Sequence, residues 1–250
     1  MTVQSQQELL ALQAIGRIVA LTLQAMSDAL AEGMTTAELD QVGRKMLASY
    51  GARSAPELCY KFPGATCISI NEQAAHGIPG KRKIRKGDLV NIDVSAELNG
   101  YFADTGASVP FGTVAPVAKR LCAATKEALQ AALKVARAGN KMADVQKAIS
   151  RVADRHGFSV IQNLAGHGIG HHLHEEPRFV PDNYRANDRR RFQKGSVLTL
   201  EPFLSTGPRY ATELSDGWTL VTKTGNFTAQ YEHTIIITES EPIILTTSAA

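Results

Sequence analysis

The segment GHGIGHHLHEEP at 166–177 places four histidines, His167, His171, His172 and His174, within eight residues. Core packing does not call for that density of imidazoles. His167 and His171 have the four-residue spacing of a helical zinc site, but Gly166, Gly168 and Gly170 oppose a helix and H-E-x-x-H is absent. A glycine-rich loop presenting imidazoles is the expectation, with His172 structural or exposed. His76 stands alone in AAHGIPG, before a turn that would fix its backbone.

Carboxylates supply a second set of chemical groups. Between Leu89 and Leu98, Val90, Ile92, Val94, Ala96 and Leu98 alternate with Asn91, Asp93, Ser95 and Glu97, the pattern of a strand with one apolar and one wet face. Asn99-Gly100 suits a type I′ hairpin turn, which needs positive φ at both central residues. With those two as the loop, Ser95 faces Asp104 and Asp93 lies diagonal to Asp104, with Cα atoms ~7–8 Å apart. Carboxylates that close call for a metal or a shared proton. Glu201 ends the apolar run SVLTLEP, and Glu232 sits inside AQYEHTIII. Acidic groups in such runs are rarely left unpaired, so each reads as a buried salt bridge or a metal ligand. Neither G-x-S-x-G, nor a phosphate-binding loop, nor a dinucleotide fingerprint is present. Metal-assisted hydrolysis remains as the coherent chemistry.

The elements that must position these groups repeat once. Helical periodicity over 6–32, closed by Gly33, and again from Thr35 or Thr36 to about Tyr50 predicts a helix pair. Short β runs follow at 66–70 and 88–98, with a return strand over 101–111. Residues 115–138 and 142–156 form a second helix pair, and a second β-rich stretch runs from Phe158 to Leu245. Two similar halves, about 1–113 and 114–250, are expected in a single α+β domain. The polar segment 181–195 is expected as an exposed excursion.

Composition sets bounds on partners. The 250 residues carry 27 basic and 24 acidic side chains, a net charge of +3, with 44% hydrophobic residues. Disordered, collagen-like and disulfide-scaffold classes are excluded. A small net charge gives no case for specific nucleic-acid binding, and KRKIRK at 81–86 and RRR at 189–191 read as solvated loops, with contact to an anionic partner as the alternative. The apolar stretch Leu9–Leu30 is broken by Gln13, Arg17, Gln24 and Asp28 and reads as an amphipathic helix, not a membrane span. No secretory signal is visible at MTVQSQQE. Three cysteines without C-x-x-C spacing suit free thiols in the cytoplasm.

The ordered set Asp93, Asp104, His167, Glu201 and Glu232 is accompanied by HGIP at 76–79, NIDV at 91–94 and DT at 104–105. GHGIG at 166–170, HEEP at 174–177, LEP at 200–202, DGWT at 216–219 and QYEHT at 230–234 complete the series. Over nearly its whole length the chain closely resembles the methionine aminopeptidases of the bacterial type I class. The resemblance implies a pseudo-twofold α/β fold, often called pita-bread, whose two helix-pair-plus-strands halves enclose a dinuclear site. It implies that Asp93 binds one divalent ion, that Asp104 and Glu232 bridge two, and that His167 and Glu201 complete the other. A bridging hydroxide would attack the carbonyl of an N-terminal methionine on nascent proteins and peptides. Glu201 would shuttle the proton, His174 would bond the carbonyl and developing oxyanion, and His76 would contact the amide on the leaving side.

The resemblance further implies an apolar methionine pocket at Cys59, Phe62, Cys67, Leu173 and Trp218, and a monovalent-cation position at Asn71, Gln73 and Thr228. Two departures stand out. Leu173 replaces an aromatic residue of many relatives, and Cys59 and Tyr60 differ from the usual aromatic and histidine arrangement. Manganese, iron and cobalt suit the donors about equally, and zinc is not excluded. A monomer without membrane contact, meeting its substrates at the ribosome surface, is expected. Two rival readings are an X-Pro aminopeptidase or prolidase on the same fold and a non-catalytic peptide-binding relative.

Overall fold

The computed structural model describes residues 1–181 and 188–248. Its first half runs α1 (Gln6–Asp28), α2 (Thr36–Ser49), β1 (Arg53–Ser54), α3 (Ala55–Tyr60), β2 (Cys67–Ile70), β3 (Gln73–Ala75), β4 (Leu89–Leu98) and β5 (Tyr101–Pro110). The second half begins with α4 (Pro116–Val135), α5 (Met142–His156), β6 (Ser159–Val160), β7 (Ala165–Gly168), β8 (Glu175–Pro181) and β9 (Val197–Leu200). It continues with β10 (Phe203–Ser205), β11 (Thr212–Glu213), β12 (Leu220–Val221), β13 (Thr228–Gln230), β14 (His233–Ile236) and β15 (Ile243–Ile244).

Capping explains where the first helices begin. Ser5 and Thr35 each close a capping box with the glutamate three residues on, Glu8 and Glu38, satisfying amide donors that a helix leaves unpaired at its start. The first helix stops at Asp28, short of the expected 32. By length and hydropathy α1 would suit a membrane span. Here it is a core helix, with Ile15, Ile18, Val19 and Met26 buried in the cluster that holds Ile68, Ile70, Val90, Ile92 and Val94. In the second half α4 and α5 pack Leu121, Leu129, Val145 and Ile149 against Leu198, Leu200, Leu204 and Ile235.

The central hairpin follows the expected register. Leu98 pairs with Tyr101 and Ser95 with Asp104, around Asn99 and Gly100 at φ 52° and 84°. The other face of β4 departs from expectation. Asn91, Ser95 and Glu97 are buried, not wetted: Asn91 Nδ2 donates to Gln230 Oε1 of the second half at 2.8 Å, while Glu97 accepts from Arg53 Nε and Gly100 N of the first, each at 2.6 Å. Thr105 Oγ1 donates to the Glu232 carbonyl at 2.9 Å, and Glu232 N donates to the Gly106 carbonyl at 2.9 Å. Thr234 Oγ1 accepts from Asp104 N at 2.9 Å and donates to the Asp104 carbonyl at 2.7 Å. The five-stranded sheet β15-β14-β9-β7-β8 thereby abuts the sheet of β4 and β5. Of the expected loop at 181–195, residues 182–187 lie outside the described residues.

Candidate functional site

Asp93 and Asp104 come from β4 and β5, where strand alternation puts both on one face. Opposite Asp93 stands Gly106, where a Cβ would lie 2.3 Å from Gln230 Oε1. The missing side chain admits the Gln230 amide, whose Nε2 donates to Glu232 Oε2 at 2.9 Å while its Oε1 accepts from Asn91 Nδ2 at 2.8 Å. One glutamine thus connects the Asn91 strand to Glu232 of the other half.

His167 lies on β7, not in a loop as its glycine-rich neighbourhood suggests. The flanking glycines have a packing reason. A Cβ at Gly166 would meet the Thr199 carbonyl oxygen at 2.4 Å, and one at Gly168 the Glu176 carbonyl oxygen at 2.4 Å. His167 N donates to Thr199 Oγ1 at 3.0 Å, and that hydroxyl donates to Glu201 Oε1 at 3.0 Å, so one threonine sets both groups. His167 Nδ1 lies 3.0 Å from the Gly168 carbonyl oxygen, which fixes the N–H there and leaves Nε2 as the ligating atom. Nε2 stands 3.9 Å from Asp104 Oδ2 and 3.7 Å from Glu201 Oε1. Thr199, Gln230 and Asn91 were given no role in the site by the sequence reading. Thr199 and Gln230 precede Glu201 and Glu232 by two residues, a spacing that strand alternation makes adjacent on one face.

The structure brings the five expected ligands together. Asp104, His167 and Glu232 offer donor atoms all within 4.8 Å of one another, and the Asp93 carboxyl lies close enough for its charge to act on Asp104. Burial raises the Asp93 pKa to about 6. It pushes Asp104 well up, with the Asp93 charge adding to the shift, and pushes Glu232 well up, with Asp104, Glu201 and Asp93 adding. Burial, followed by the neighbouring His174, lowers His167 to about 3, keeping its ring neutral. Buried carboxylates that repel are an expensive arrangement without a cation. Asp104 Oδ1 and Glu232 Oε1 are buried with no hydrogen-bond partner among the described residues. Orphaned oxygens beside a neutral imidazole fit a divalent metal, whose donors about 2 Å away would lie roughly 3–4 Å apart.

The cluster floors a cavity of about 380 Å³ lined by Phe62, Cys67, His76, Leu173, His174 and Trp218 among others. Phe62 packs edge-on against Trp218, ring centroids 5.2 Å apart. Cys59, expected in this wall, is exposed and lies outside it; the end of α3 turns its neighbour Tyr60 into the cavity instead. Tyr60 Oη lies 2.7 Å from His174 Nδ1. His76 takes a left-handed φ of 54°, uncommon for a non-glycine residue and frequent where function holds the backbone. A Cβ on the next residue, Gly77, would lie 2.2 Å from the Ile68 carbonyl oxygen, and Gly77 N donates to Ser69 Oγ at 3.0 Å. Burial lowers the pKa of His76, and of His174 to about 4, so both are neutral hydrogen-bonding groups. His171 and His172 are exposed and outside the cavity. Asn71, Gln73 and Thr228 also meet, Thr228 Oγ1 lying 3.0 Å from the Asn71 carbonyl oxygen and 2.8 Å from that of Gln73.

Comparison with known proteins accords with this geometry. The model of metallopeptidase family M24 matches residues 11–239. Methionine aminopeptidase 2 of Bacillus subtilis is 47% identical over 247 residues, 98% of this chain and 99% of that protein. The crystal structure of methionine aminopeptidase from Rickettsia prowazekii superposes with a TM-score of 0.93 at 34% identity, covering 99% of this chain and 100% of that one. Prolidase from Pyrococcus furiosus, 21% identical with a TM-score of 0.79 and 66% of its chain covered, shares the fold. The chain belongs to metallopeptidase family M24, in the pita-bread fold and among its methionine aminopeptidases.

Proposed function

We propose that the enzyme removes the N-terminal methionine of peptides and nascent proteins by metal-assisted hydrolysis, in the cytoplasm and at the ribosome surface. The observation that carries this reading is the pair of orphaned, buried carboxylate oxygens beside His167, set under a cavity walled by Phe62, Cys67, Leu173 and Trp218. An oxygen-rich floor binds hard or borderline divalent cations, and an apolar wall accepts a thioether side chain through dispersion and shape. Asp93, Asp104, His167, Glu201 and Glu232 would hold two such ions. Manganese, iron and cobalt suit these donors equally, and zinc is also compatible. When bound, divalent ions supply Lewis-acid polarisation of the scissile carbonyl and acidify water.

The remaining work falls to side chains. Glu201, oriented by the Thr199 hydroxyl, accepts the proton of the attacking water and returns it to the leaving amine. His174 donates to the carbonyl oxygen and to the oxyanion that develops on it, while His76 bonds the amide on the leaving side. Asn71, Gln73 and Thr228 would place a monovalent cation where β3 and β13 meet, outside the reaction itself.

Incubation with a Met-Ala-started peptide and an added divalent metal tests the reading: free methionine should be released. Cleavage of an X-Pro peptide in its place would assign prolidase activity. Absence of turnover with manganese, iron, cobalt and zinc alike would leave a peptide-binding protein.

A further inference from the structure

The end of α3 carries a residue that the chemistry proposed above does not use. Tyr60 closes this six-residue helix, which Ser54 caps by accepting from Glu57 N at 3.3 Å. Arg44 anchors it to α2 through two parallel hydrogen bonds to Glu57, at 2.9 and 2.7 Å. The chain then reverses at Lys61, in the left-handed region at φ 57°, and Phe62 N returns to the Pro56 carbonyl at 3.2 Å. Tyr60 is therefore held on a short, anchored support, 45% exposed at the rim of the cavity. From there its hydroxyl lies 2.7 Å from Nδ1 of His174, with the rings tilted by 55° at 5.6 Å between centroids. The His174 ring also meets His167, 4.0 Å away between centroids.

We propose that Tyr60 is a positioning residue for the reaction: its hydroxyl donates to His174 Nδ1, holds the ring as the Nε2–H tautomer and so keeps a hydrogen-bond donor ready for the substrate carbonyl. A neutral imidazole has one N–H and one lone pair, so a donor bound at Nδ1 forces the proton to Nε2. The opposite arrangement, with Nδ1–H donating to the phenol oxygen, would present a lone pair to the carbonyl oxygen and repel it. The inference rests on the assignment of His174 to the substrate carbonyl.

The Tyr60→Phe variant removes the hydroxyl and keeps the ring. With a Met-Ala-started peptide, kcat should fall about 5- to 10-fold, the worth of one hydrogen bond, while KM stays within about twofold. The same substitution in a His174→Ala background should change nothing further, since its effect passes through that imidazole. In zinc-loaded protein labelled with 15N-histidine, His174 should show the 15N chemical shifts of an Nε2–H ring in the wild type, and its Nδ1 resonance should shift in Tyr60→Phe. An unshifted Nδ1 resonance, or a Tyr60→Phe loss that persists in the His174→Ala background, would overturn the role of Tyr60 while leaving His174 in place. A His174→Ala variant with unchanged kcat would instead remove the assignment of His174, and the proposal with it.

Discussion

The floor and the wall of the cavity are built to opposite specifications. On the floor, Asp93, Asp104 and Glu232 are carboxylic acids whose burial raises their pKa, and two of their oxygens have no hydrogen-bond partner among the described residues. In the wall, Phe62, Cys67 and Leu173 are buried apolar groups, stable where they stand. The floor is costly by itself and gains its stability from what it binds, whereas the wall stabilises the empty protein and selects what enters. Substitutions in the two regions should therefore separate metal content, kcat and KM.

The largest effect belongs to the floor. Asp104→Ala removes a carboxylate with an orphaned oxygen. Metal content measured on the purified protein should drop, and turnover should fall on the order of 10³-fold, the loss of several kcal/mol of Lewis-acid stabilisation. Retained metal with full turnover would mean that Asp104 only shapes the sheet. Next comes His76→Ala, expected to lower kcat about 10²-fold, as removal of one donor to the reacting group does. Its metal content should equal that of the wild type; loss of metal would move His76 from the rim to the floor.

These contrasts show what was legible before the fold. Asn99-Gly100 indicated the hairpin register from two residues, because Asn-Gly strongly favours the type I′ turn of a two-residue loop, and with it the placement of Asp93 diagonal to Asp104. Helix starts at Ser5 and Thr35 carry their own capping chemistry, although the first helix ends earlier than its periodicity indicates. The strand bearing His167 was hidden, since Gly166 and Gly168 lower β propensity for a reason visible only in three dimensions, the approach of the Thr199 and Glu176 carbonyls. Burial of the polar face of β4 was equally hidden, as it depends in part on pairing between halves more than 100 residues apart, such as Asn91 with Gln230. The family resemblance pointed to Cys59, but the six-residue α3, too short for periodicity to reveal, places Tyr60 in the cavity instead.

Smaller effects refine the comparison. Trp218→Ala opens the wall and should raise KM for a methionine-started peptide about tenfold, through lost burial of the thioether side chain, with kcat and metal content little changed. An equal fall in kcat would place Trp218 in contact with the reacting atoms. The smallest expected effect is one of stability in the metal-free protein. Burial raises the folded-state pKa of Asp93 to about 6 from its ordinary 3.8, so its buried charge costs stability above that pH and costs little once the group is protonated. Asp93→Asn should therefore be more stable than the wild type at pH 7.5, with the advantage fading as pH falls through about 6 towards 4. Histidines with lowered pKa, such as His167 and His174, act in the opposite sense on both proteins and largely cancel in the difference. Thermal unfolding of the two proteins across that range checks the sign; an advantage that grew on acidification would contradict it.

Metal titration of the stripped wild-type enzyme, followed by the rate of methionine release from a Met-Ala-started peptide, tests the central claim most directly. The buried cluster of Asp93, Asp104, His167, Glu201 and Glu232 predicts negligible release without metal and a rise that saturates as divalent cation fills the site. Full release from protein kept in excess chelator would contradict that account.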